Sequence, residues 1–311
     1  MAYRIQSRTA LDADIRRIAR EQIDKAIAEL SDRDGDRHEA IHDARKRFKK
    51  LRGLLILARP GHAGFAATET ARYRDIAHAL SGTRDRTALI EALDGLERRF
   101  AGEAETDAFA VVRTALELKR EAAAEALGDP DAPVAATIDA LQEGRVRLDG
   151  FVVKRGAKRR RAIVTAGLQA NYARARRDLR AALRSGDSEA FHDLRKRIKY
   201  LAMHLKLLTE LWPEALAPLE KAADGIAEDL GRDHDYAVLR AEMDADPASF
   251  GAPADLATVR ARLERHQGEL RASAVDAVSR LLAEKPKAFA ARMERLMALA
   301  ETRDGGPTGT P

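Results

Sequence analysis

The chain contains no cysteine. Disulfides, thiolate nucleophiles and thiol-ligated metal sites are thereby excluded. Aromatic residues make up only 5% of the 311 positions. Val, Ile and Thr never gather into the runs that strands require. No apolar run is long enough to span a bilayer, and the opening MAYRIQSRTALDADIRR is charged throughout, with no apolar h-region. A Gly-rich phosphate loop of the nucleotide-binding kind is also missing, as is an activated nucleophile. These absences lead to the expectation of a soluble, cytoplasmic protein with no membrane association, no cofactor and no metal site.

What remains is dominated by Ala, Leu, Arg and Glu, which are good helix formers. Hydrophobic residues amount to 45%, enough for a real core. Helical periodicity predicts an all-α protein with helices at 9–30, 37–58, 64–80, 84–101, 106–127, 134–152, 158–184, 188–210, 214–230, 233–244, 253–283 and 287–301. The breaks carry turn chemistry: SDRDGD, ARPGHAG, LSGTRD, GDPDAP, RSGD, DADPASFGAP and EKPK. Asp36 followed by Glu39 reads as a capping box, and Asp187 as an N-cap at the matching place. The end of the chain, RDGGPTGTP, is expected to be a disordered tail.

The chain also repeats itself. His42, Arg45, Lys46, Arg47 and Lys49 match His192, Arg195, Lys196, Arg197 and Lys199 at an offset of 150. At the same offset Ile76, Leu80, Asp85 and Leu89 match Ile226, Leu230, Asp235 and Leu239. One register held across two helices and the segment between them implies two related bundles. The expected division is 1–150 and 151–302, followed by the tail 303–311.

Net charge is only +5, although 34% of the residues are charged, so the placement of the cations matters more than their excess. HDARKRFKKLR (42–52) and HDLRKRIKYLA (192–202) set His42, Arg45, Lys46 and Lys49, and likewise His192, Arg195, Lys196 and Lys199, on one helical azimuth. Opposite them lie Ile41, Ala44, Phe48, Leu51 and Leu55, and Phe191, Leu194, Ile198, Leu201 and Leu205, as core stripes. A basic stripe on one helix is ordinarily a solvated face. Here Asp43 and Asp193 are the only acids within the two segments. The basic azimuth also turns apolar at Gly53, Ile56 and Leu57, and at Met203 and Leu207, as a covered face would. The cations are therefore expected to line a cleft wall that a polyanion neutralises. Arg offers bidentate donors to phosphate oxygens, Lys a compact charge and His a pH-sensitive hydrogen bond. KRGAKRRR (154–161) and RARRDLRAALR (174–184) add further charge, the first reading equally well as a basic linker. Arg84 and His234 fall at matching turn positions, with Asp85 and Asp235 expected to cap helices.

The paired signature resembles that of the CHAD family, the histidine-containing α-helical domain. His42, Arg45, Lys49, Lys50 and Arg52 fit the first copy of H-x-x-R-x-x-x-K/R-K/R-x-R. His192, Arg195 and Lys199 fit the second, where Tyr200 and Ala202 replace basic positions. LSGTRD and LGRDHD are similar to the family's L-G-x-x-R-D turn. The resemblance implies two pseudo-symmetric antiparallel bundles around a central basic cleft. It further implies binding of inorganic polyphosphate and association with polyphosphate granules. His42, Arg45, Lys46, Lys49, Lys50, Arg52, His192, Arg195, Lys196, Lys199 and Tyr200 are the candidate contacts, with no catalytic residue.

Three rival readings stand beside this one. The pairs His42-Asp43, His192-Asp193 and His234-Asp235 could belong to a metal-dependent HD-type phosphohydrolase. Two of those pairs are repeat copies, however, and cationic neighbours disfavour a divalent ion. Non-specific nucleic-acid binding at low salt is electrostatically permitted, but Tyr200 is the only aromatic ring near the basic helices. An adaptor that buries the stripes against an acidic partner is the third.

Overall fold

The computed structural model describes residues 3–7, 9–32, 35–80, 82–102, 107–126 and 131–303, the side chains of 82–85 and 303 excepted. Among the described residues the protein is all-α, with eleven helices and no strand. The tail beyond 303 and the side chains of Arg84 and Asp85 lie outside the description. No helix among the described residues is long and apolar enough to cross a membrane.

The first half contributes α1 (Leu11–Ser31), α2 (Arg37–Ala58), α3 (Ala63–Ala79), α4 (Gly82–Arg99), α5 (Ala108–Ala126) and α6 (Ala132–Arg147). The second contributes α7 (Ala157–Ser185), α8 (Ser188–Leu207), α9 (Pro213–Ala245), α10 (Pro253–Leu281) and α11 (Pro286–Arg303). Asp36 caps α2 by accepting from the backbone N–H groups of His38 and Glu39, and Asp187 caps α8 by accepting from Ala190. Both caps stand where the sequence placed them. The order of elements also recurs. A 3₁₀ turn at Arg59–Gly61 leads from α2 into α3, and one at Thr209–Leu211 leads from α8 into α9. The residues entering α3 and α9 have nearly the same backbone, φ −156° and ψ 79° at His62, φ −164° and ψ 83° at Trp212.

Two apolar cores result. The larger is shared by both halves: Phe48, Leu51 and Leu55 of α2 join Leu194, Ile198 and Leu201 of α8, with contributions from α1, α3, α6, α7, α9 and α11. The smaller is built by α4, α5, the end of α9 and α10 around Leu93, Val112, Tyr236, Phe250 and Val259. Close approach of α7 to α2 depends on Gly167, where an added Cβ would stand 2.0 Å from the Leu57 carbonyl oxygen.

The fold corrects the expected break at 230–233. Residues 213–245 form one helix of 33 residues that joins the two cores. Gly231 does not end it, because a single interior glycine costs only about 1 kcal/mol. Packing also favours continuity, since the Arg195 guanidinium lies against Gly231, its Nε 3.1 Å from where a Cβ would be. Asp235 therefore sits in mid-helix and caps nothing. The run KRGAKRRR is not a free linker along its length either. Its Arg160 is only 6% exposed and donates to the Gln6 carbonyl at 2.9 Å and to Glu301, which Arg161 also meets. Basic residues here bind the N-terminal segment and α11 to α7.

Candidate functional site

The two basic helices meet where their charged azimuth turns apolar. Gly53 of α2 packs on Met203 of α8, and a Cβ at Gly53 would come 2.7 Å from the Met203 sulfur. His204, fully buried, donates from Nε2 to the Gly53 carbonyl oxygen at 3.0 Å. Burial pulls its imidazole down to about 4, so it is neutral at pH 7 and can hold a proton on Nε2. Beside this crossing Arg52 donates to the Tyr200 hydroxyl at 2.9 Å, a second bond between the repeated helices.

Beside the crossing the side chains open into a groove of about 620 Å³. His42, Lys46, Lys49 and Lys50 enter it from α2, and Arg195, Lys199 and Lys206 from α8. The third wall is α9, which brings Glu220, Asp224, Glu228 and Asp235 together with Arg232. Among the described residues seven Lys and Arg side chains thus face four carboxylates. The groove is net positive, but the charge is not uncompensated as the sequence suggested. Lys199 is ion-paired with Asp224 and Lys206 with Glu220. Lys46 and Lys196 pair within their own helices, with Asp43 at 2.8 Å and Asp193 at 2.9 Å.

Lys49 differs from these. It faces open groove, yet enough protein surrounds it for desolvation to lower its ammonium to about 8, helped by the charges of Arg195, Arg45, Lys199 and Arg52. It has no ion pair among the described residues, and four of its strongest neighbours are cations drawn from both repeated helices. Lys50 is lowered by desolvation and by Arg47 and Lys206, and lies 5.9 Å over the Tyr3 ring. Arg195 is also lowered by desolvation, with Asp235 opposing the shift, and its Nε is buried without a hydrogen-bond partner among the described residues.

The other expected contacts stand around the groove instead of lining it. Arg45 donates to the Ala77 carbonyl at 2.9 Å, satisfying the last turn of α3. His192 stacks on His234 with centroids 3.7 Å apart. Desolvation, then the His234, Lys196 and Arg195 charges, lower it to about 4, so it is neutral at pH 7. His234 is lowered for the same reasons and sits in mid-helix, not in a turn. Tyr200 is buried and faces a different groove, between α2, α3, α7 and α8. The matched pair Arg47 and Arg197 is structural, tied to Glu29 of α1 and Asp178 of α7.

Sequence reasoning missed Lys206 and the acids of α9. Lys206 was within reach, since it follows Lys199 by seven residues on the same azimuth. The acids recur at 220, 224 and 228 on one face of α9, but their spacing alone does not tell which neighbour that face meets.

A family model for the CHAD domain matches residues 17–244. The chain belongs to the CHAD family. A solved structure, the crystal structure of the CHAD domain from the plant Ricinus communis, superposes with a TM-score of 0.54 at 20% identity, over 91% of this chain and 95% of that one. At that identity the likeness concerns the fold. None of the curated proteins is similar to the chain in sequence. The matched span contains α2, α8 and nearly all of α9, so all three walls of the groove lie within the CHAD domain.

Proposed function

We propose that this CHAD domain binds inorganic polyphosphate in the groove between α2, α8 and α9, without turning it over. One observation carries the reading. Among the described residues Lys49 is an unpaired ammonium held among Arg45, Arg52, Arg195 and Lys199, a cluster assembled from both copies of the repeat. Such a cluster is unfavourable when empty and becomes favourable when a chain of phosphates supplies the missing negative charge. The groove is about 620 Å³, a size that suits a bare phosphate chain better than a duplex. His42, Lys46 and Lys49 at i, i+4 and i+7 of α2, with Arg195 and Lys199 at i and i+4 of α8, would follow such a chain along both helices. Association with polyphosphate granules would follow from the same contacts.

The carboxylates of α9 bear on affinity. Asp224 holds Lys199 and competes with a phosphate for it. A bound chain would run along the α2–α8 side, where Lys49, Lys50 and Arg195 stand.

Titration of labelled medium-length polyphosphate tests the reading. The change Lys49→Gln together with Arg195→Gln is expected to weaken binding at least tenfold, on the order of 1.4 kcal/mol or more, and to flatten its salt dependence. Unchanged affinity and slope would take these residues out of the site. Duplex DNA should compete poorly near physiological salt; a preference for DNA would favour the nucleic-acid reading. Steady phosphate release with Mg²⁺ or Mn²⁺ would make the protein a phosphohydrolase.

A further inference from the structure

A second groove, of about 600 Å³, lies between α2, α3, α7 and α8. Of the candidate contacts of the signature, Tyr200 alone lines it, among the described residues. Its basic side chains are Arg59, Arg74, Arg174 and Arg197, and no carboxylate lines it among the described residues. Two of these cations are already engaged: Arg74 pairs with Asp75 at 2.9 Å and Arg197 with Asp178 at 3.2 Å. Arg59 and Arg174 make no hydrogen bond or ion pair among the described residues. Desolvation and the charges of Arg197, Arg59 and Arg177 lower Arg174, against a weaker opposing pull from Asp178.

The floor is of a different kind. Ala63, Ala67 and Ala170 are exposed along it, Ile56 is half-buried, and Tyr200 closes one side. Small side chains leave the slot open and give it apolar surface that water wets poorly. Inorganic phosphate gains nothing from such a floor, because it has no apolar surface to bury. A molecule with an anionic end and an apolar or planar body gains from both parts, through bidentate guanidinium contacts above and area burial below.

We infer that this groove is a second ligand site, which takes a small organic phosphate with its phosphate on Arg59 and Arg174 and its body on the alanine floor. The site is separate from the polyphosphate groove and does not depend on that reading.

Calorimetric titration with ATP, AMP and phenyl phosphate, with tripolyphosphate as the inorganic control, tests the assignment. At least one organic phosphate is expected to bind. Arg174→Ala combined with Arg59→Ala should weaken it at least tenfold and leave long-chain polyphosphate affinity within twofold. Both side chains are exposed, so the folded state should survive their loss. Ala170→Glu, which sets a carboxylate among the arginines, should abolish the same binding. Three results would overturn the proposal: no organic phosphate bound at millimolar concentration, organic phosphate binding indifferent to these changes, or an equal loss of polyphosphate affinity. The last would make the groove part of the polyphosphate path.

Discussion

Lys49 connects charge with stability as well as with binding. Its ammonium lies near 8 in the folded protein, against about 10.4 for an unhindered lysine. Below pH 8 it is charged in both folded and unfolded chains, and its surroundings weigh fully against the fold. Between about pH 8 and 10.4 the folded state sheds the proton first, so stability rises with pH across that window. Lys49→Gln is therefore expected to raise the melting temperature at pH 7 in polyanion-free buffer, with the gain shrinking by pH 10. Thermal denaturation across pH measures this, and a lowered melting temperature at pH 7 would mean that Lys49 is not electrostatically frustrated. Asp224 should behave with the opposite sign in binding. Asp224→Asn releases Lys199 and removes a negative wall, so polyphosphate should bind more tightly, by a few-fold in direct titration; weaker binding would place Asp224 in a supporting role.

Among the elements, α2, α7 and α8 set the spacing of the charged rows. Arg195 lies against Gly231 of α9 at the edge of the groove, whereas Arg45 is held back by its bond to the last turn of α3. The approach of α7 to α2 has almost no slack, since the nearest atom to a Cβ at Gly167 would be a backbone oxygen that cannot rotate away. Gly167→Ala is expected to destabilise the protein by about 3 kcal/mol, at the upper end of overpacking costs, as chemical denaturation would report. A cost below about 0.5 kcal/mol would show that the helices can part without penalty. Gly53 faces the end of a flexible methionine, and alanine there should be milder.

At the scale of the whole molecule, α9 is the mechanical link. It supplies the acid wall of the groove through its first six turns and helps form the smaller core with Tyr236, Leu239 and Met243. Phe250, fully buried in that core, lines neither groove. Phe250→Ala should cost about 3–5 kcal/mol. Hydrogen exchange should then open amides of α4, α5 and α10 before those of α2 and α8. Simultaneous loss of protection in all of these helices would show that the two cores unfold as one unit.

Helix content, both N-caps, the core stripes of α2 and α8 and the offset of 150 were legible in the sequence, because they depend on local periodicity and capping chemistry that neighbours reinforce. The paired signature pointed to the family for the same reason: it is written in side chains at fixed spacing. Where the rows would face was only half legible. The turn from cation to apolar residue at Gly53 and Met203 marks a covered face, but only packing determines that each covers the other. Tertiary structure alone decided that Gly231 lies inside an unbroken helix, that Arg47 and Arg197 serve as struts, and that α9 sets its carboxylates opposite Lys199 and Lys206. Those outcomes depend on which surfaces distant segments bring together, and a charge has no partner until the chain has folded.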